Sequence, residues 1–118
     1  MAGIIRDATV TIANGASLSG AVSLGAGDPV SIQMPTAFTG TQLTFQVSHD
    51  NSTFQNLYDA AGSEVTVTVA ASRNVPLPSP LQAGWRYLKI RSGTAATPTA
   101  EGGARTITLI NKIVVGLD

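Results

Sequence analysis

From Leu43 to Arg91 apolar and polar residues alternate with a period of two, broken only by turn chemistry. LTFQV, VTVTV and RYLKI carry the pattern. Successive strand side chains point to opposite faces, so each of these segments reads as a half-buried antiparallel strand. No segment of ten or more residues shows the 3.6 period of an amphipathic helix.

The rest of the chain has the same rhythm. Val10 and Ile12 alternate before Asn14-Gly15, a dipeptide that tolerates tight turns. Leu18, Val22 and Leu24 continue weakly through Gly20, Gly25 and Gly27. Val30, Ile32 and Met34 alternate until Pro35. Phe54 to Tyr58 and Asn74 to Leu77 read as short extended pieces between turns. Pro76, Pro78 and Pro80 bar a central ladder strand, because proline lacks the donor. Thr94 to Gly103 reads as a small, exposed loop. Thr106 to Ile110 alternates again, and Lys112 to Leu117 reads as a last extended segment. Eight to ten short strands in 118 residues predict an all-β fold, an antiparallel β-sandwich of jelly-roll-like type. The expected organisation is an exposed arm over residues 1–7, hooked by Ile4 and Ile5, and one domain over 8–118.

A chain of this length can bury about two-thirds of its unfolded surface without staples. None are available, since it has no cysteine for a disulfide or a thiolate metal site. No window approaches the ~18 apolar residues of a membrane span, and no membrane partner is expected. MAGIIRDATV lacks the basic and apolar regions of a secretory leader, so synthesis in the cytoplasm is expected.

Charged residues make up 12% of the chain, against about 25% in an average domain. Either Ser, Thr, Asn and Gln solvate the surface, or copies of the chain or a partner cover it. The charges are also segregated. No Lys or Arg lies between Arg6 and Arg73, an interval holding Asp7, Asp28, Asp50, Asp59 and Glu64. Arg73, Arg86, Lys89, Arg91, Arg105 and Lys112 follow. Acidic and basic strands pairing within one fold is the default account, and edges of neighbouring copies meeting is the other.

Nothing converges on catalysis, and no enzyme is expected. His49, the only histidine, reads as a turn residue at a strand end. Asp50-Asn51-Ser52 and Asp59 to Glu64 do not match an EF-hand loop, and Asp at a turn bonds its own backbone. No pair of carboxylates can be nominated for glycoside cleavage, and the glycines form no nucleotide loop. No metal or cofactor is expected. The net charge of zero gives no excess for phosphate, so no nucleic-acid partner is expected.

The most distinctive cluster is Trp85, Tyr87, Lys89 and Arg91. Alternation sets it opposite Leu88 and Ile90. If those two face the core, the other face carries aromatics and cations. Such a face can meet another subunit, where Trp, Tyr and Arg are enriched. It can stack a sugar or base, or simply cap the core rim. The candidate interface is Ile4, Ile5 and Arg6 in the arm with Trp85, Tyr87, Lys89 and Arg91 on the strand.

LTFQVSHDNSTFQNLYDAAGSEVTV, LPSP, WRYLKIRSG and the closing RTITLI give the sequence a resemblance to small β-rich structural proteins of tailed bacteriophages, of the capsid decoration (cement) type. The resemblance implies a virion protein on the capsid surface that binds the major capsid protein lattice and stabilises the head. It also implies a homo-oligomer, a trimer being one form. A tail, fibre or adaptor component is the alternative within that reading. Arg86 to Ile90 is also similar to a strand of discoidin-like and carbohydrate-binding jelly rolls, which keeps a carbohydrate-binding module open. The glycan-site aromatics and calcium ligands of those modules have no counterparts in this sequence.

Overall fold

The computed structural model describes residues 2–25 and 27–115. Nine strands and one 3-10 turn are present among them: β1 (Ala2–Ile12), β2 (Val22–Ser23), β3 (Asp28–Gln33), β4 (Gln42–Ser48), β5 (Gln55–Asn56), β6 (Val67–Thr68), β7 (Asn74–Pro76), the turn Ser79–Gln82, β8 (Tyr87–Ser92) and β9 (Arg105–Val115). They form two antiparallel sheets. One has the order β1-β9-β3-β7, and the other β2-β8-β4-β5 with β6 also on β4. The expected sandwich is the observed fold.

The core lies between the sheets. Val10, Ile12, Ile32, Ile107 and Leu109 come from the first, and Leu43, Phe45, Val47, Leu88 and Ile90 from the second. Loop residues Leu24, Phe38, Leu57, Val65, Leu77 and Leu81 close its ends. The period-two pattern marks nearly all the strand members. Pro76 sits on β7, an edge strand, where a missing N–H leaves no gap in the ladder.

Three expectations change. Residues 2–7 of the expected arm are the outer half of β1, paired with β9 from Ala2↔Val115 onward. Met1 lies outside the described residues. Val30 does not share the burial of Ile32 and Met34: the ladder of β3 on β9 shifts between Pro29 and Ser31, and Pro29 is the buried residue there. An extra residue in a bulge reverses the face of everything before it. Thr94 to Gly103 is not simply an exposed loop, because Glu101 within it is 1% exposed. The closing segment continues β9 as far as Val115; positions 116 and 117 lie outside the described residues.

Glu101 accepts hydrogen bonds from Thr39 N–H (3.0 Å), Thr39 Oγ1 (3.1 Å), Gly40 N–H (3.1 Å), Ser92 Oγ (3.0 Å) and Arg105 Nε (3.1 Å). Its backbone bonds Gly15 N–H and Ala16 C=O. Those partners lie on the three chain crossings that leave β1, β3 and β8 for the opposite sheet. The approach is close enough to require glycine at position 40, where a Cβ would stand 2.3 Å from Ser92 Oγ. Burial pushes the Glu101 carboxyl up, but the bonds from Thr39, Arg105 and Ser92 outweigh it and hold it below its ordinary value of 4.5.

A carboxyl with a depressed folded pKa stabilises the protein fully above its unfolded value and loses that contribution as pH falls through the folded one. Denaturant unfolding should therefore show wild-type stability declining as pH drops below about 4.5. Glu101→Gln should be less stable at neutral pH and flatter over the same acid range. Glu101→Ala leaves Arg105 and the Thr39 and Gly40 donors without a partner, and should cost about 3–5 kcal/mol at pH 7.

Candidate functional site

Two surfaces stand out, one on each sheet. The first is the ribbon of β1 and β9. Only β9 flanks β1, so the whole 11-residue strand is an edge. The Thr11 carbonyl accepts from Gly20 N–H at 3.4 Å, on the side away from β9. By the alternation of an antiparallel ladder, N–H and C=O of Gly3, Ile5, Asp7 and Thr9 face that same open side. The Thr11 Oγ1 to Thr106 Oγ1 distance of 3.1 Å fits this register, because directly opposed side chains approach most closely at non-hydrogen-bonded pairs.

β3 meets β9 only as far as Asp28↔Lys112, so the ribbon runs on past it as two strands. Ile4 sits there and Ile5 at its start, across from Lys112, 41% and 60% exposed. At the ribbon's root a crevice of about 200 Å³ is lined by Arg6, Asp7, Leu24, Asn111 and Ile113, among others. Asn111 is 5% exposed, and its Oδ1 has no hydrogen-bond partner among the described residues. A buried acceptor left without a donor is unfavourable by about 1–3 kcal/mol. Arg6 is directly across from it in the ladder.

The second surface is the outer face of β8 and β4. Leu88 and Ile90 do face the core, and Tyr87, Lys89 and Arg91 lie opposite Ser48, Gln46 and Thr44. The open aromatic-cationic face expected here is corrected at Arg91, which is 6% exposed. Its guanidinium donates to Thr44 Oγ1 (3.2 Å) and Asn56 Oδ1 (2.7 Å), and pairs with Glu64 Oε2 at 3.5 Å. Glu64 also accepts from Ala95 N–H, so the loops before β6 and after β8 cover this end. The pair joins the basic half of the chain to the acidic half within one molecule.

Lys89 Nζ lies 4.4 Å from the centre of the Phe54 ring. Trp85 precedes the strand, past a bend at Arg86, so the period does not extend to it. It packs against the core, donates Nε1–H to Pro80 C=O at 2.9 Å, and meets the His49 ring at 5.5 Å and 43°. The seven candidate residues therefore divide. Ile4, Ile5 and Arg6 share the exposed ribbon on one sheet. Tyr87, Lys89 and Arg91 belong to the other, and the cations among them already have partners.

The turn acids bind their own backbone. Asp50 Oδ1 accepts from Ser48 Oγ, Ser52 N–H and Thr53 N–H, each at 2.9 Å. Those donors hold its carboxyl below the ordinary value, Thr53 contributing most. Asp59 Oδ1 accepts from Ala61 and Ser63.

No family model and no curated protein matches the sequence. The fold is similar to that of the SPBc2 prophage-derived protein YomS, with a TM-score of 0.51 and 13% identity over 92% of this chain and 95% of that one. Fainter likenesses join it to the Yersinia pseudotuberculosis-derived mitogen (TM-score 0.42, 8% identity, 98% and 90% covered). Another is to CBM32-1 from a family 31 glycoside hydrolase of Clostridium perfringens (TM-score 0.38, 12% identity, 90% and 76% covered). At these identities a likeness speaks of the fold alone, and the two fainter ones carry no further weight.

Arg91→Ala should remove the buried cation from a network that also holds the half-buried Glu64 and Asn56. Chemical denaturation should register a loss of about 3–5 kcal/mol. A loss under about 1 kcal/mol is what a solvated surface pair gives, and would contradict a structural role for Arg91.

Proposed function

We propose that this chain is a structural protein of a tailed bacteriophage particle, and that it decorates the capsid from outside. The observation that carries the proposal is the β1–β9 ribbon: a long open strand edge, two exposed isoleucines toward its outer end and, at its root, a buried acceptor with no partner among the described residues. An isolated soluble protein normally blunts such an edge with charges, proline or a bulge. β1 carries only Arg6 and Asp7, and no proline. An edge of this kind is suited to adding a strand from another chain. The similar fold of a prophage-derived protein, spanning nearly all of both chains, supports the phage setting.

The mechanism is passive and non-enzymatic. Each copy buries ~800 Å² or more on major capsid protein subunits or on neighbouring copies of itself. Capsid sites repeat, so weak contacts on an oligomer reinforce one another. A protein that binds only the assembled shell stabilises it by mass action. Ile4, Ile5 and Arg6 are the proposed contacts, with Asn111 receiving a donor from the partner. Neither membrane nor nucleic acid takes part.

Co-sedimentation tests this. Phage particles lacking the protein are mixed with the purified chain and pelleted. Wild type should pellet with the particles. Ile5→Asp places a charge at an exposed position, so it should fold normally and bind at least about tenfold more weakly. Equal pelleting of the variant would remove the ribbon from the contact. Failure of wild type to pellet would contradict the capsid reading.

A further inference from the structure

A concave depression of about 350 Å³ lies where β4 ends and the chain turns back into β5. Its wall includes His49, Asp50, Gln55, Asn56, Tyr58 and Trp85. Ligand pockets of about 300–1,000 Å³ typically combine aromatic walls with a few fixed polar groups. Both parts are present.

The apolar part is aromatic and held in place. Trp85 is anchored by its bond to Pro80 and by the core beneath it, and His49 leans on its ring. With the indole N–H already used, the ring offers surface rather than a donor. Tyr58 is 50% exposed, one of the few large hydrophobic side chains so open to solvent. Rings of this kind give large contact at small loss of side-chain freedom.

The polar part is preorganised. All three bonds to Asp50 fall on Oδ1, which fixes the carboxylate and leaves its other oxygen as an acceptor. Asn56 Oδ1 receives Arg91 Nη2 at 2.7 Å and Gln46 Nε2 at 3.2 Å. Those bonds set the plane of the amide and leave its NH₂ as a donor. Gln55 supplies a second, exposed amide.

Charge narrows the ligand. The lining holds no Lys or Arg, and Arg91 nearby is spent on Thr44, Asn56 and Glu64. With Asp50 ionised, a phosphate or a nucleotide would be repelled rather than held. A purely apolar ligand would strip water from the carboxylate and amides without replacing their bonds. A neutral sugar ring meets every requirement, having one C–H face for aromatic contact and an edge of hydroxyls that both donate and accept.

We propose that this depression is a saccharide-binding site, taking a sugar ring or a disaccharide end. Trp85, His49 and Tyr58 supply the apolar contact; Asp50 and Asn56 bond the hydroxyls, with Gln55, on the opposite face of β5, at the rim. The proposal does not rest on the capsid reading. The site is on the other sheet from the ribbon, and each is measured separately.

The test is an NMR titration of the ¹⁵N-labelled full chain with D-glucose, D-galactose, N-acetyl-D-glucosamine and lactose. At least one should shift the Trp85 indole signal and the His49 and Tyr58 amides saturably, with Kd on the order of millimolar. Ile4 and Ile5 should not move. Tyr58→Ala, an exposed change that leaves the core intact, should weaken binding at least about fivefold. Gln55→Ala should weaken it less. No saturable shift with any of the four sugars would overturn the proposal. So would shifts that survive unchanged in Tyr58→Ala, because they place the sugar elsewhere.

Discussion

One buried carboxylate ties this sandwich together. Two sheets stacked face to face hold each other through apolar contact, which has no direction. Something must fix where the chain crosses between them. Glu101 receives side-chain and backbone donors from the segments that carry the chain out of β1, out of β3 and out of β8. The bonds from Thr39, Gly40, Ser92 and Arg105 reach its carboxylate and are charge-assisted, and therefore stronger than neutral ones, while the crossing out of β1 is held through the Glu101 backbone. They lock one end of the sandwich, and the ordered ladders run away from it. The ribbon, the Arg91 network and the aromatic depression all hang on strands whose positions that end determines.

Rigidity at the crossings leaves the edge of β1 as the least satisfied part of the molecule. Its backbone groups face outward on one side, its isoleucines are exposed, and Asn111 at its root has no donor among the described residues. A scarcity of surface charge adds to this: 12% of residues leave few means of discouraging another strand. A partner chain resolves all of these deficits together. On a repeating lattice even a modest contact suffices, because occupancy is multiplied by the number of sites.

The sheet faces were legible in the sequence because a period of two is a local property. Leu43, Phe45, Val47, Val65, Val67, Val69, Leu88 and Ile90 need only their neighbours to declare which face they take, and all are buried. Val30 was not legible, since a bulge changes phase without leaving a compositional mark. Arg91 shows the limit of periodicity from the other direction. Alternation gives the face a residue is on but not whether a loop later covers that face. Here the loops carrying Glu64 and Ala95 do. Glu101 was the hardest to read. Its donors at Thr39 lie 62 residues away, and the surrounding Thr, Ala and Gly resemble a solvated loop. Of the candidate site, Ile4, Ile5 and Arg6 were visible as apolar and charged residues of an expected exposed arm, though not as rungs of the β1–β9 ladder. The depression was not, because His49, Tyr58 and Trp85 meet only once β4, β5 and the segment before β8 are placed together.

The central claim is that this chain occupies a repeated site on a phage head. The most direct measurement is its copy number in purified particles, by quantitative mass spectrometry against the major capsid protein. Decoration of the lattice predicts on the order of hundreds of copies, because the sites repeat over the whole shell. A count of about a dozen or fewer fits a single ring at the neck, tail or fibre and would contradict the account, as would absence from the particle.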